Sequence, residues 1–347
     1  MRIHLTGAFE YQDVRVGFGN AAYFIAEQFK SAGFDVSVSK PGDTTAYQAD
    51  VEMCFDHANR YRFVCPNAYR IGYTPWESTG IPASWVAPME SCDELWTPNK
   101  YCRDIFSERF SHKPIFVYQH GISEHYKPRK RKLRNDRPFT FLFIGEPQLR
   151  KDGTMVAEEF VKLFGNNPNY RLIIKATHMS NIMMKDPKNK VSGHALVGSP
   201  DYFYDNVITY TKMLDPVQMI QLYDEADIFV YPSWGEGWGF NPMQAIAMGI
   251  PTISTHVWAD YAEYITVPID SYLFQSPWQE THPGMMFKPD RMQLSHAMSA
   301  SLENYEQLAS MAFKNAFKIH EDYNWEKVSN PAVRRLKKIF SSLDLKV

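Results

Sequence analysis

Short unbroken apolar runs alternate along the chain with stretches whose apolar positions recur at helical spacing, the pattern of an open parallel sheet covered by helices. In the first half the pattern predicts strands at Arg2 to Thr6, Phe34 to Val38, Val51 to Phe55, Tyr69 to Tyr73, Glu94 to Thr97 and Pro114 to Tyr118. A loop containing Gly17 and Gly19 leads into a helix with Ala22, Phe24, Ile25 and Phe29 on one face, ended by Gly33, and a second helix is expected from about Asn99 to Phe110. The second half restarts at Phe139 to Gly145. It continues with a helix from about Asp152 to Phe164, strands at Arg171 to Lys175 and Asn206 to Thr209, and a helix at Pro216 to Ala226. Strands at Ile228 to Pro232 and Ile250 to Ser254 follow, and the last helix is expected from about Trp325 to Leu343. Both halves are therefore expected to be α/β.

A length of 347 residues fits two such domains, each able to bury a core. The boundary is expected at KPRKRKLRNDR, where seven basic residues (Lys127, Arg129, Lys130, Arg131, Lys132, Arg134 and Arg137) face the single Asp136 with no apolar spacing. This reads as an exposed connector, with a phosphate-bearing acceptor, an anionic lipid or nucleic acid as alternative partners. The net charge of -2 excludes a global field that would hold the protein on a polyanion, so such an attraction would be local. Cys54, Cys65, Cys92 and Cys102 have no C-x-x-C spacing and indicate neither a zinc site nor a disulfide framework. No apolar run has the length of a membrane span, and the first residues lack the build of a signal peptide, so a cytoplasmic location is expected.

Residues 231–254, YPSWGEGWGFNPMQAIAMGIPTIS, carry the chemistry. A strand ends at Pro232, a loop with Gly235, Gly237 and Gly239 follows, and a helix begins near Asn241 or Pro242. Glycines let a ligand approach the backbone, and the free N–H groups of a helix start favour a phosphate or diphosphate. Glu236 would repel phosphate, so it reads as an acceptor of hydrogen bonds from hydroxyl groups. Phosphate plus polyol suggests a sugar nucleotide.

This stretch resembles the nucleotide-sugar motif of retaining GT-B glycosyltransferases of the family 4 type, written as Glu, seven residues, Glu. The first Glu is Glu236, with Gly237, Gly239, Pro242, Ala245, Ala247, Gly249 and Pro251 in register, and Gln244 replaces the second Glu. In the family the first carboxylate contacts donor-sugar hydroxyls and the second the ribose; Gln244 keeps an accepting oxygen without the charge. Trp238, Phe240 and Asn241 lie inside the motif and are taken as donor-binding with it. FLFIGEPQLRKDG, residues 141–153, is similar to the strand and loop whose Arg-Lys pair neutralises the donor diphosphate, which gives that role to Arg150 and Lys151. Glu146 departs from the basic residue many members carry. MLDPVQMIQLYDEADIFVYPS, with Leu214, resembles the segment lining the nucleotide base, and Gly17 and Gly19 match a loop facing the diphosphate. TPWESTGIPASW, DELWTPNKYCRDIF and VYQHGI look like the acceptor-side domain, and YNWEKV like the return of the chain to it.

The resemblance implies a GT-B fold of two Rossmann-like domains facing across a cleft. Residues 1–126 would form the acceptor side, 127–137 the linker, 138–323 the donor side, and a helix over about 324–347 would complete the first domain. It implies a transferase that uses a UDP- or GDP-sugar, retains anomeric configuration, binds no metal and holds no tight cofactor. Glu236, Arg150 and Lys151 would act at the donor. On the acceptor side Glu77 could position or deprotonate a hydroxyl, with Trp76 and His120 as further cleft contacts. The expected acceptor is a glycan or glycoconjugate. Alternatives are a hydroxymethylated DNA base, a GT-B isomerase or phosphorylase, and a non-catalytic sugar-nucleotide binder.

Overall fold

The computed structural model describes residues 1–146, 148–176 and 204–344. Strands β1 (Arg2–Gly7), β2 (Asp35–Val38), β3 (Val51–Phe55), β4 (Tyr69–Tyr73), β5 (Glu94–Thr97) and β6 (Ile115–Val117) form one parallel sheet in the order β2-β1-β3-β4-β5-β6. Strands β7 (Phe139–Ile144), β8 (Tyr170–Lys175), β9 (Val207–Tyr210), β10 (Ile228–Tyr231), β11 (Thr252–Thr255) and β12 (Val267–Ile269) form a second in the order β12-β11-β10-β7-β8-β9. Every residue of β3, β7 and β10 is buried, which is why these segments are rich in apolar residues and show no alternation, with Glu52 and Thr140 as buried polar exceptions: helices cover both faces of each sheet.

The helices are α1 (Gly17–Ser31), α2 (Ala83–Glu90), α3 (Lys100–Arg109), α4 (Gly153–Phe164), α5 (Pro216–Asp224), α6 (Phe240–Ala247), α7 (Arg291–Glu303), α8 (Tyr305–Asp322) and α9 (Trp325–Asp344). Their starts follow local chemistry. Asn99 accepts the Cys102 amide at 2.8 Å ahead of α3, and Asp215 and Gln218 form a capping box around Pro216 ahead of α5. Gly17 and Gly19, expected in a loop, form the first turn of α1 instead. Gly19 packs against the Asp13 backbone, where a side chain would collide. Helix α2, strand β12 and the antiparallel hairpin β13 (Ser271–Gln275) and β14 (Met285–Pro289) went unpredicted, and of the helices that close the chain only the last had a predicted range. The β13 segment is mostly exposed and α7 has a weak apolar face, so neither carries a clean period.

The last helix returns to the first sheet. Trp325 stacks on Phe24, Phe340 on Phe34, and Arg335 reaches buried Glu94 on β5 at 2.6 Å. The chain's two passages between the sheets run side by side, with the Ile122 amide bonded to the Tyr323 carbonyl at 2.7 Å.

The basic connector is mostly exposed, as its composition suggests, but its arginines are tied to the second sheet. Arg137 grips both oxygens of buried Asp227, at 2.7 and 2.8 Å, while Asp227 also accepts the Thr140 amide. Arg131 reaches Asp224 at 3.0 Å, Arg129 pairs with the same carboxylate, and Arg134 donates to the Asp224 carbonyl. These arginines fasten the connector to the second sheet's own helices, because aspartates close α5 and precede β10 at matching positions.

Candidate active site

In an open parallel sheet the loops beyond the carboxyl ends of the strands diverge where the strand order reverses, and a ligand crevice opens there. In the second sheet that point lies between β7 and β10. The loop after β7 brings Arg150 and Lys151, and the loop after β10 brings residues 232–239 into the start of α6. The Trp234 amide bonds the Arg150 carbonyl at 2.8 Å, and the Trp234 indole donates to Asp152 at 2.8 Å, so the two loops are held as one unit.

Glu236 is the centre of this unit. Lys151 Nζ lies 2.6 Å from both of its carboxylate oxygens, Arg150 lies at 3.2 Å, and the hydroxyls of Ser233 and Tyr231 donate at 2.6 and 2.9 Å. Burial would raise the Glu236 carboxyl, but the two cations outweigh it and hold the group below the ordinary carboxylate range. Burial also draws Lys151 down. Two short contacts to a carboxylate that also accepts two hydroxyls favour the ion pair, and the lowered Glu236 is the direction that geometry supports. Two cations beside helix starts need an anion, and in the free protein the site's own carboxylates supply it.

Arg150 also reaches across the cleft. Its guanidinium lies 3.4 Å from Glu77, on the loop after β4, and it donates to the Gly235 carbonyl. Burial would raise Glu77, yet Arg150, His282 and His57 bring it down to about 2. The two loops touch closely enough that a side chain on Gly235 would strike the Glu77 carbonyl, and one on Gly237 the Pro75 ring. Gly239 takes φ +80°, which favours glycine, and its turn releases α6 toward the cavity.

A cavity of about 260 Å³ is lined by Gly17, Glu77, His120, Arg150, Lys151, Tyr231 and residues 236–241. It continues into a narrow lobe bounded by Val16, Tyr126, Leu214, Met219, Phe240 and Gln244. Gln244 accepts the Tyr223 hydroxyl through its amide oxygen at 3.0 Å. The structure thus brings together Gly17, Glu77, His120, Arg150, Lys151, Glu236, Gly237, Trp238, Gly239, Phe240 and Asn241, with Leu214 and Gln244 in the adjoining lobe. Gly19 lies behind the wall rather than on it. Trp76 is 1% exposed, with its indole on the Gly80 carbonyl and its ring against Trp85, so it packs a small core instead of facing the cleft. His120 lines the cavity but is buried. Its ring lies flat against Phe240, Nε2 sits 2.7 Å from the Tyr73 hydroxyl, and burial pushes its pKa to about 3, so the ring is neutral.

Spacing did not reveal Tyr231 and Ser233, which hold Glu236, or His282, which reaches Glu77 from a remote hairpin. Asn99, which ties the halves by donating to the Gly237 and Trp258 carbonyls, was also unmarked. Outside the cleft, His4, Glu52 and Cys65 place ligand atoms within 4.8 Å of one another. The His4 nitrogens are already engaged by Ser37 and Ser39 and the Glu52 oxygens by the amides of Val64 and Cys65, so this cluster is satisfied internally. No helix among the described residues is long and apolar enough to cross a membrane.

Residues 138–300 match the family model of Glycosyl transferases group 1. No curated protein sequence matches the chain. Among solved structures, sucrose-phosphate synthase from Thermosynechococcus elongatus is 14% identical with a TM-score of 0.65, over 99% of this chain and 100% of that one. A glycosyltransferase from Rickettsia africae ESF-5 is 12% identical with a TM-score of 0.66, over 98% of each chain. The pneumococcal O-GlcNAc transferase GtfA, solved in complex with UDP and GlcNAc, is 13% identical with a TM-score of 0.54, over 93% of this chain and 61% of that one. The expected fold of two facing Rossmann-like sheets is the one these structures share with this chain.

Proposed function

Because residues 138–300 match the Glycosyl transferases group 1 model, we propose that the chain is a glycosyltransferase that transfers a sugar from a nucleoside diphosphate sugar to an acceptor hydroxyl with retention of anomeric configuration. The observation that carries this reading is the meeting of Arg150, Lys151 and Glu236 with the start of α6 in one cavity. A diphosphate entering it replaces carboxylates as the partner of Arg150 and Lys151 and accepts N–H groups from the first turn of α6. Glu236, released from the cations, is then free to accept hydroxyls of the donor sugar. The adjoining lobe takes the nucleoside, with Gln244 at the ribose and Leu214 beside the base. The domains divide in this reading at the connector, 1–126 from 138–323, with the last helix completing the first.

In the reaction the bond from the anomeric carbon to the diphosphate oxygen breaks and a bond to the acceptor oxygen forms on the same face. The acceptor proton passes to the departing diphosphate. Arg150, Lys151 and the α6 amides stabilise the negative charge that grows on that leaving group, so protein cations do the work a metal does elsewhere. Glu77, on the opposite wall, orients the acceptor hydroxyl. The acceptor class is a glycan or glycoconjugate; Arg131 and Arg137 of the connector are held by Asp224 and Asp227 rather than presented to nucleic acid or an anionic lipid. The place of action is the cytoplasm.

The test is a panel of UDP- and GDP-sugars, scored by thermal stabilisation and by release of the nucleoside diphosphate, with the UDP-sugars first because one structural neighbour was solved with UDP. One donor class is expected to bind and turn over, and Glu236→Ala to abolish turnover. A protein that binds none of the panel, or a Glu236→Ala variant that transfers like the wild type, overturns the proposal. Nuclear magnetic resonance of the product reads retention from the anomeric coupling.

A further inference from the structure

The β13–β14 hairpin of the second half is strapped to the acceptor-side loop that carries Glu77. The Thr79 amide donates to the Met285 carbonyl at 2.9 Å, the Gly80 amide to the Pro283 carbonyl at 3.0 Å, and the Met285 amide to Thr79 Oγ1 at 2.8 Å. Gly284, at φ +84°, allows this approach: a side chain there would meet Thr79 Oγ1 at 2.6 Å. The same hairpin holds the donor loop, since the Phe287 amide bonds the Trp234 carbonyl at 2.9 Å. One element therefore grips both walls of the cleft.

His282 sits on this strap. Its ring lies parallel to Trp76, with centroids 4.9 Å apart and planes 4° from coincidence, and Nε2 stands 3.4 Å from Glu77 Oε2. Glu77 Oε1 faces Arg150, while Oε2 is buried without a hydrogen-bond partner. A buried carboxylate oxygen left without a donor costs free energy that an incoming N–H or O–H recovers. Arg150 cannot be the lasting anchor of Glu77, because it is shared with Glu236 and is the group a diphosphate would claim.

We propose that His282 is the positioning residue of Glu77, holding its carboxylate toward the acceptor hydroxyl once the donor has drawn Arg150 away. This rests on the reading of Glu77 as the carboxylate that receives that hydroxyl. Trp76, fixed by its bond to the Gly80 carbonyl at 2.7 Å, sets the imidazole plane. The strap delivers Nε2 to the side of Glu77 opposite Arg150, so the carboxylate keeps its place when its cationic partner turns to the donor. The buried stack on His282 is thus the use of Trp76, in place of a face open to sugar.

The experiment uses the full chain, the nucleotide sugar selected by the donor panel, and water as the acceptor, so that hydrolysis is read without an identified glycan. His282→Phe keeps a ring for Trp76 but has no N–H; His282→Gln keeps an N–H without the ring. His282→Phe is expected to lower kcat at least tenfold with KM for the nucleotide sugar unchanged, and His282→Gln to restore most of the rate. Hydrogen exchange at the Thr79 and Gly80 amides reports whether the strap stays docked. A wild-type rate in His282→Phe beside an impaired Glu77→Gln overturns the role of His282, as does equal loss in both His282 variants with unprotected strap amides. A wild-type rate in Glu77→Gln removes the reading of Glu77 itself, and the inference with it.

Discussion

Arg131 and Arg137 of the connector and Arg150 and Lys151 of the cleft are buried to similar degrees, with side-chain exposures of 9, 13, 12 and 15%. All four meet carboxylates. Arg137 has one carboxylate partner, Asp227, which it engages through two parallel bonds and which also accepts a backbone amide; its remaining bonds go to the Pro138 carbonyl and the Thr140 hydroxyl, so the group is closed on itself. Arg150 divides its charge between Glu77 and Glu236, which come from opposite walls, and it borders an open cavity with Lys151 beside it. Burial and pairing alone therefore do not distinguish a structural cation from a working one. What distinguishes them is whether the partners sit around space that a ligand could enter to replace them.

The largest effect that tests this contrast is on turnover. Removing a donor to the leaving diphosphate by Lys151→Ala should lower the transfer rate by about 10²- to 10³-fold, the usual cost of a lost transition-state partner. Arg137→Ala, read in the same nucleoside diphosphate release assay, should leave kcat and KM as they are. A connector variant that loses turnover while remaining folded would break the distinction.

The converse belongs to stability. Arg137→Ala leaves Asp227 buried with its charge unpaired and should cost about 3 to 5 kcal/mol in denaturant unfolding, whereas the half-exposed Arg129→Ala should cost below about 1 kcal/mol. Equal losses in the two would show that connector charge, rather than its burial, sets the stability.

A pH experiment separates the walls of the cleft. Glu77 falls from an ordinary 4.5 to about 2 in the folded protein: burial opposes the shift, and Arg150 with His282 produces it. Stability from this group is complete above the unfolded carboxylate value and is lost as pH drops from about 4.5 toward 2. Glu77→Gln should therefore show a shallower fall in unfolding free energy across that window than the wild type. Parallel curves would mean that the contacts to Glu77 do not favour its charged form.

Strands β1 to β11, helices α1, α3 to α6 and α9, and the Glu236 loop were legible because they are local facts: short apolar runs, cap residues, and a glycine loop before a helix; Arg150 and Lys151 were legible only through the family resemblance. What was illegible depends on partners distant in the chain. The connector is largely exposed, as read, but a run such as Lys127 to Arg137 does not announce that Asp224 and Asp227 lie opposite its arginines. Trp76 looked available for a sugar until Trp85 and His282 closed around it. His282 itself lies in a segment without period, on a hairpin whose exposed first strand gives no alternation to read.

Gln244 poses the finest test, because the family resemblance and the geometry meet there. A glutamate at this position would bring charge-assisted hydrogen bonds to a ribose diol, where the amide offers a neutral acceptor already shared with the Tyr223 hydroxyl. It would also place a second carboxylate in the lobe beside the diphosphate, where Arg15, itself paired with Asp13, is a lining cation. If the ribose is the ligand of this side chain, Gln244→Glu should lower KM for the nucleotide sugar by up to about tenfold, equivalent to about 1.4 kcal/mol, and leave kcat unchanged. The change should vanish when the donor is compared with its 2′-deoxy analogue, since the diol is then incomplete. An equal gain with the deoxy donor would assign the effect to packing against Tyr223, and Gln244 would join Arg137 among the residues that hold the fold without touching the reaction.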